Sequence, residues 1–392
     1  VASTSGATVA RTTIGVALLG LAGAWNGGNV GPVAEEIADD MDVSLGEVGL
    51  LSGTFFFASA VLGLLFAAQI GERIGLLRGL WLGLGLTVAG NVVFALTPIF
   101  AGLAVGRILP GLGFALINTL GAVWARAAGG ARLLGVFGAS IQLGVALALL
   151  LGSVLSDLDV DWRVGFVVSA ALAAAALVAI PRDAAEAVPP QRAGTGFFHK
   201  ALRRARVYRL GLLFVSIYGV PMVLSAWLIQ YLTLDGDVTK SVAGVAAFLL
   251  FGLSAVMRIA GARLQQRGTS HLLLGGALLV AAIGLAAVAL EPVAAAAFAG
   301  VALLAFGFGI PYAVALTEAQ QLDPEAPGEP VALMTLFGLG PPIIVIPFVG
   351  RALELGDGAL AFWGLAAFLV VATLANLRPA GRPVTGPGSE SG

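Results

Sequence analysis

Two arginines, Arg107 and Arg258, stand inside long apolar stretches of this sequence. A guanidinium stays charged at any physiological pH and offers a rigid fork of N–H donors that fits a planar anion. Charge inside an apolar span is costly, so such a residue carries a functional hypothesis by default. Arg107 lies about nine residues into its run, roughly 13 Å along a helix and near the middle. Arg258 lies nine residues before Arg267, near one end of its run. Each has a plainer alternative: Arg258 could snorkel to the nearby surface, and Arg107 could bond carbonyls across helices. No Asp or Glu falls in the middle of any apolar run; Glu35, Glu36, Glu291 and Glu318 all sit at ends. Buried positive charge without buried negative charge favours an anionic solute.

Softer candidates for solute contact are Trp25, Asn26 and Asn29, Gln142, Tyr218 and Trp227 with Gln230 and Tyr231, and Tyr312. Trp25-Asn26-Gly27-Gly28-Asn29 is a polar, Gly-rich interruption of an apolar run, and such breaks are tolerated where they face a cavity. An aromatic taken singly serves packing or the interface belt as readily as a ligand. The chain has no Cys and two His, which excludes disulfides, thiolate metal sites and multi-His metal sites. No Gly-rich nucleotide loop ending in Lys-Ser/Thr occurs, and no Ser/His/acid set is visible. We expect no enzymatic activity, no cofactor, no metal and no nucleic-acid partner.

The elements that must position these residues are spanning helices. Of the 392 residues, 58% are hydrophobic and 11% charged, against about 25% charged in an ordinary soluble domain. Mean hydropathy is +0.98. Runs near 20 residues, rather than alternating runs near 10, point to helices and not a barrel. The 55 Gly residues suit helices that approach closely in lipid. Twelve spans are expected, at about 12–33, 47–70, 79–97, 99–125, 133–156, 163–181, 208–232, 241–264, 270–290, 293–316, 331–350 and 358–377. The first could pass for a signal peptide, but no small-x-small cleavage pattern closes it, and it reads as a span.

The charges orient these spans. With the amino terminus inside, inner segments hold 16 of the 21 basic residues, and outer loops hold only Arg163, Lys240 and Arg351. The positive-inside rule therefore places both termini in the cytoplasm of a multi-pass cell-membrane protein. One inner loop, residues 317–330, carries only acidic charges, which weigh little in that rule. Residues 182–207 are basic, contain Pro189-Pro190 and divide the spans six and six. They read as a cytoplasmic linker between an amino-terminal bundle, 1–181, and a carboxyl-terminal bundle, 208–378; residues 379–392 read as a disordered tail. Ala68–Arg78 is a charged island between two spans, and Gly261–Gly268 echoes it, with Arg73 and Arg267 separated by 194 positions. That echo predicts an internal duplication.

Three strings resemble the major facilitator superfamily of secondary transporters. Ala68–Arg78 is similar to its loop between spans two and three, with Glu72 in place of the family's Asp, Arg73 and Gly75 matching, and Ala68 where the family opens with Gly. Arg107-Ile-Leu-Pro-Gly111-Leu-Gly113 is similar to the fourth-span Arg-x-x-x-Gly-x-Gly, and Asp161-Trp162-Arg163-x-x-Phe166 to the entry into span six. The resemblance covers about residues 10–380. It implies an all-α fold of two pseudo-symmetric six-helix bundles opening alternately around a central site lined by spans one, four, seven and ten. It implies gating by Glu72, Arg73, Gly75 and Arg78, with Arg267 as the echo. Arg258-Ile-Ala-Gly261 resembles the eighth-span Arg-x-x-Gly of nitrate, oxalate, monocarboxylate and cyanate-type transporters, where that Arg holds the anion. The nitrate-specific Gly/Asn string and the antiporter Gly-Pro pair are not evident in span five. We therefore expect a monomeric secondary transporter, moving a small anion by proton symport or exchange and partnered only by its solute and the bilayer. The competing expectation is a drug or metabolite exporter with an aromatic, apolar cavity.

Overall fold

The computed structural model describes residues 6–180, 205–236, 238–266, 271–323 and 328–377. Arg267, most of the expected linker and the expected tail lie outside them. Every regular element among the described residues is helical. The first group runs α1 (Gly6–Trp25), α2 (Ala34–Met41), α3 (Leu45–Phe57), α4 (Leu64–Ile74), α5 (Leu76–Leu96), α6 (Phe100–Asp157) and α7 (Arg163–Ala179). The second runs α8 (Ala205–Phe214), α9 (Val220–Leu234), α10 (Lys240–Gln266), α11 (His271–Leu290), α12 (Ala294–Gln320), α13 (Gly328–Glu354) and α14 (Gly358–Leu377). Residues 205–207, expected in the linker, already belong to α8.

Several boundaries differ from the expected spans, each for a local reason. α1 ends at Trp25, and the polar break leads through a short 3-10 turn, Gly31–Val33, into the separate helix α2. Asp42 closes α2 in the left-handed conformation (φ 53°), and a Ser44–Glu47 capping box starts α3. α3 and α4 are joined through a π-helical stretch, Ala58–Gly63, and α8 and α9 through another, Val215–Gly219. The expected turn of Ala68–Arg78 shrinks to Gly75 alone: Gly71 is helical, and Gly75 takes φ +86°, which only glycine adopts without strain. α6 comprises two helical segments that meet at Gly129 and Gly130, whose dihedrals leave the helical region, so the two expected spans stay distinct.

Among the described residues, eight helices are long and apolar enough to cross a membrane, and three shorter apolar helices accompany them. α5, at 21 residues, is about 31 Å long, matching a hydrocarbon core. Large apolar side chains such as Val178, Leu272, Leu290 and Phe348 point outward, as lipid-facing residues do. Lipid offers no hydrophobic drive between helices, so close backbone approach must supply the contact. Glycine does this at matched places in the two groups. A Cβ on Gly113 would meet the Gly83 carbonyl at 2.5 Å, and one on Gly307 would meet the Ala277 carbonyl at 2.5 Å. A Cβ on Gly90 would meet the Gly106 carbonyl at 3.0 Å, and one on Gly284 would meet the Gly300 carbonyl at 2.6 Å. Gly83 and Ala277, Gly113 and Gly307, Gly90 and Gly284, and Gly106 and Gly300 are all 194 positions apart. The α5–α6 and α11–α12 crossings thus repeat at the spacing that separates Arg73 from Arg267.

The cores show how the groups meet. One apolar core draws on both, including Leu51, Phe55 and Leu149 of the first and Trp227, Leu250 and Ile346 of the second. A second core is confined to the first group, around Leu19, Leu116 and Trp124, and a third to the second group, around Phe214, Leu278 and Met334. The groups are therefore joined at the end bearing Lys240 and separate toward the end bearing Gly75. Close backbone contacts agree: Gly49 seats against Pro347, Gly53 against Ile343 and Gly31 against Ser225.

Candidate functional site

Arg107 lies on α6 and is 2% exposed. Its Nη1 donates to Asn29 Oδ1 at 3.0 Å, its Nη2 to the Asn26 carbonyl at 2.6 Å and its Nε to the Leu51 carbonyl at 3.4 Å. The Phe55 ring lies 4.8 Å from the guanidinium carbon. Asn29 donates to Asn26 Oδ1, and Asn26 donates to Ser169 of α7, both at 3.3 Å. The polar break after α1 is therefore held by Arg107. Its peptide groups cannot bond within a helix and must find partners elsewhere. Three neutral oxygens, and no carboxylate, share the charge. Trp25 is buried beside this network, and its indole N–H has no acceptor among the described residues.

The same break faces the second group. Ser225 of α9 donates to the Gly27 carbonyl and Gln230 to the Gly31 carbonyl, each at 3.0 Å. A Cβ on Gly31 would lie 2.4 Å from the Ser225 carbonyl, so only glycine permits this approach. Arg107 from one side and α9 from the other thus hold one short stretch of irregular backbone.

Arg258 has a different setting. It lies on α10, half-buried, with its guanidinium carbon 3.9 Å from the centre of the Tyr312 ring and 5.7 Å from that of Tyr218. The two tyrosine hydroxyls are 3.4 Å apart. Arg258 Nε is buried without an acceptor, and no ion pair to Arg258 occurs among the described residues. The helices that make this cage are thinned to meet. A Cβ on Gly309 would lie 2.4 Å from Met257 Cβ, and one on Gly261 would lie 2.3 Å from the Ile310 carbonyl. That close α10–α12 crossing sets Arg258 over Tyr312. Tyr218 sits in the π-helical stretch between α8 and α9, a local irregularity that often marks functional sites. The cage is a cation held by π-faces, which leave its N–H fork less satisfied than a carboxylate would.

The structure thus gathers Trp25, Asn26, Asn29 and Arg107 in one cluster, and Tyr218, Arg258 and Tyr312 in another. Gln142 is buried on α6 and enters neither set of hydrogen bonds. Trp227 belongs to the joined end: its indole donates to the Ile346 carbonyl at 2.7 Å, and its ring fills the space left by Gly49 and Gly350. Glu72, Arg73 and Arg78 are exposed around Gly75. Gly71 and Gly79 flank them and seat the Leu120 side chain between α4, α5 and α6. Sequence reasoning missed Ser225 and Ser169, which carry no signal beyond an ordinary small polar residue, and Lys240, which it counted only for topology.

A sequence profile for the Major Facilitator Superfamily matches residues 16–338. The chain belongs to the major facilitator superfamily. Over 92 residues it is 38% identical to the uncharacterized transporter YycB of Bacillus subtilis (strain 168). That match spans 24% of this chain and 22% of the relative, so little of the relative's length is represented. Among solved structures, a bacterial homologue of the human lysosomal transporter Spinster, inward-facing and unoccupied, aligns with TM-score 0.77 at 17% identity, covering 96% of this chain and 97% of that one. A D-xylose-proton symporter aligns with TM-score 0.74 at 15% identity, over 94% and 97% of the two chains. The nucleoside transporter NupG (D323A mutant) aligns with TM-score 0.74 at 10% identity, over 93% and 99%. At these identities the likeness is one of fold. This chain is therefore a multi-pass membrane protein of that superfamily, helical in every regular element among its described residues.

Proposed function

We propose that this chain is a twelve-span secondary transporter that moves a small anionic solute by alternating access, through proton symport or exchange. One observation carries the anionic reading: Arg258 is a half-buried guanidinium caged by Tyr218 and Tyr312, with no carboxylate partner among the described residues. A planar anion would complete its hydrogen-bond fork, and the tyrosine hydroxyls would add donors at the same edge. Arg107 is the second cation of the pathway, and it fixes the α1 break that lines the approach. The nitrate, oxalate and monocarboxylate-type subgroup, without nitrate itself, is the reading we favour within the superfamily.

Twelve spans follow if α6 counts twice at its Gly129–Gly130 break and the shorter apolar helices cross together with the pieces that continue them. The halves are residues 1–181 and 208–378, joined by 182–207. Positive-inside orientation puts both termini and the Gly75 end in the cytoplasm. The joined Lys240 end then faces outward, and the structure represents an inward-open state.

Thermal unfolding of the purified protein against a panel of small anions and lipophilic cations tests this reading. A ligand that binds the native state raises apparent stability by mass action. The expected result is stabilisation by one class of carboxylate or comparable small anion, lost in Arg258→Gln. Stabilisation by lipophilic cations alone, unchanged in Arg258→Gln, would overturn it in favour of amphipathic export.

A further inference from the structure

Three basic residues lie at the joined end: Arg163, Lys240 and Arg351. Two of them pair within their own helix group. Arg163 Nη2 meets Asp40 Oδ2 at 2.6 Å, and Arg351 Nη1 meets Glu354 Oε2 at 2.8 Å. Lys240 differs. Its Nζ lies 2.7 Å from Glu36 Oε1 and 3.2 Å from Glu35 Oε2, both on α2 of the first group, while Lys240 opens α10 of the second.

The surroundings turn this pair into a lock. Arg163 ties α2 to α7 through Asp40, so the two glutamates are presented from a braced helix. Ser156, near the end of α6, donates to Glu36 and fixes its carboxylate. One residue past Lys240, the Ser241 backbone N–H donates to Asp157 Oδ2 at 2.7 Å. Asp157 thus caps the first turn of α10 from the other group, where the helix carries partial positive charge. Gly244, one turn further on, has its Cα against Ser153, with only 2.5 Å left for a Cβ. The Lys240, Ser241 and Gly244 contacts cross between groups that must separate here if this end is to open, while the Arg163 and Ser156 contacts brace the first group's side of them. Separation would leave Glu35 and Glu36 without their cation and Asp157 without the backbone N–H it accepts from.

We propose that Lys240, Glu35, Glu36 and Asp157 form an ionic gate that holds this end shut and so sets the balance between the two access states. The gate rests on the alternating-access reading above and is independent of whether the solute is an anion. It is a positioning device, and none of its residues touches Arg107 or Arg258.

The chain has no Cys, so a spin-label pair at Leu158→Cys and Leu355→Cys reports the width of this end without background. Both positions are exposed, on opposite groups. Lys240→Gln is expected to raise the ratio of long to short distances by about tenfold, the order for a partly buried, charge-assisted pair. Glu36→Lys combined with Lys240→Glu is expected to return the ratio toward the parent, which a merely misfolded protein would not do. Gly31→Leu, which wedges the same end apart, serves as the control for mobility. An unchanged ratio in Lys240→Gln, with Gly31→Leu opened, would overturn the gate and leave alternating access standing. One distance in every variant, Gly31→Leu included, would overturn both.

Discussion

Arg107 and Arg258 share a side chain and have opposite situations. Arg107 spends its donors on Asn29, Asn26 and Leu51; Arg258 lies over tyrosine rings with its Nε unanswered. Their substitutions should therefore separate. Arg107→Gln strips donors from buried oxygens, each costing about 1–3 kcal/mol when left unpaired, and should appear first as a lower unfolding temperature. Arg258→Gln should leave that temperature nearly unchanged and abolish anion-dependent stabilisation. Arg258→Lys should fail as well, since an ammonium offers no planar fork. Should Arg107→Gln unfold like the parent, the account of the α1 break is wrong. Both arginines were legible as costly charges in apolar runs. Their difference was not, because it lies in partners more than 50 residues away, such as Leu51 and Asn29 for Arg107.

At the scale of elements, glycine decides where helices cross, and the matched crossings give a paired prediction. Gly113→Ala and Gly307→Ala place a Cβ 2.5 Å from the same kind of backbone carbonyl. Each should destabilise the protein by about 1–3 kcal/mol, as overpacked contacts do, read from unfolding in detergent. A large cost at one position and none at the other would contradict the repeat. The sequence announced the duplication only through Arg73 and Arg267; the glycine pairs are lost among 55 glycines until contacts select them. Span edges were legible where hydropathy changes abruptly, as at the ends of α5. The Gly129–Gly130 break falls between the expected spans 99–125 and 133–156, whereas the π-helical stretches lie inside expected spans and leave no composition signal.

Across the whole molecule, the repeat supplies the scaffold, and the proposed site sits where it is broken. The positions related to Arg107 and Arg258 by 194 residues are Val301 and Leu64, and Tyr312 corresponds to Asn118. One frame used twice, with a single caged cation in the second half, suits a site that two halves approach alternately. Orientation is the first test at this scale. A cysteine at Asp159 should react with an impermeant maleimide on intact cells, and one at Arg73 only after the membrane is opened; the reverse pattern would invert the topology. The superfamily was legible because its motifs recur in fixed order along the spans, whereas the proposed cluster of three residues from separate elements has little linear signature. The most direct measurement of the central claim is counterflow in proteoliposomes of whichever anion stabilises the purified protein, comparing the parent with Arg258→Gln at equal incorporation. The account predicts saturable exchange in the parent and a loss of at least about a hundredfold in the variant, the order expected when a buried charge-assisted contact to the solute is removed. Equal exchange by both would show that Arg258 does not hold the solute.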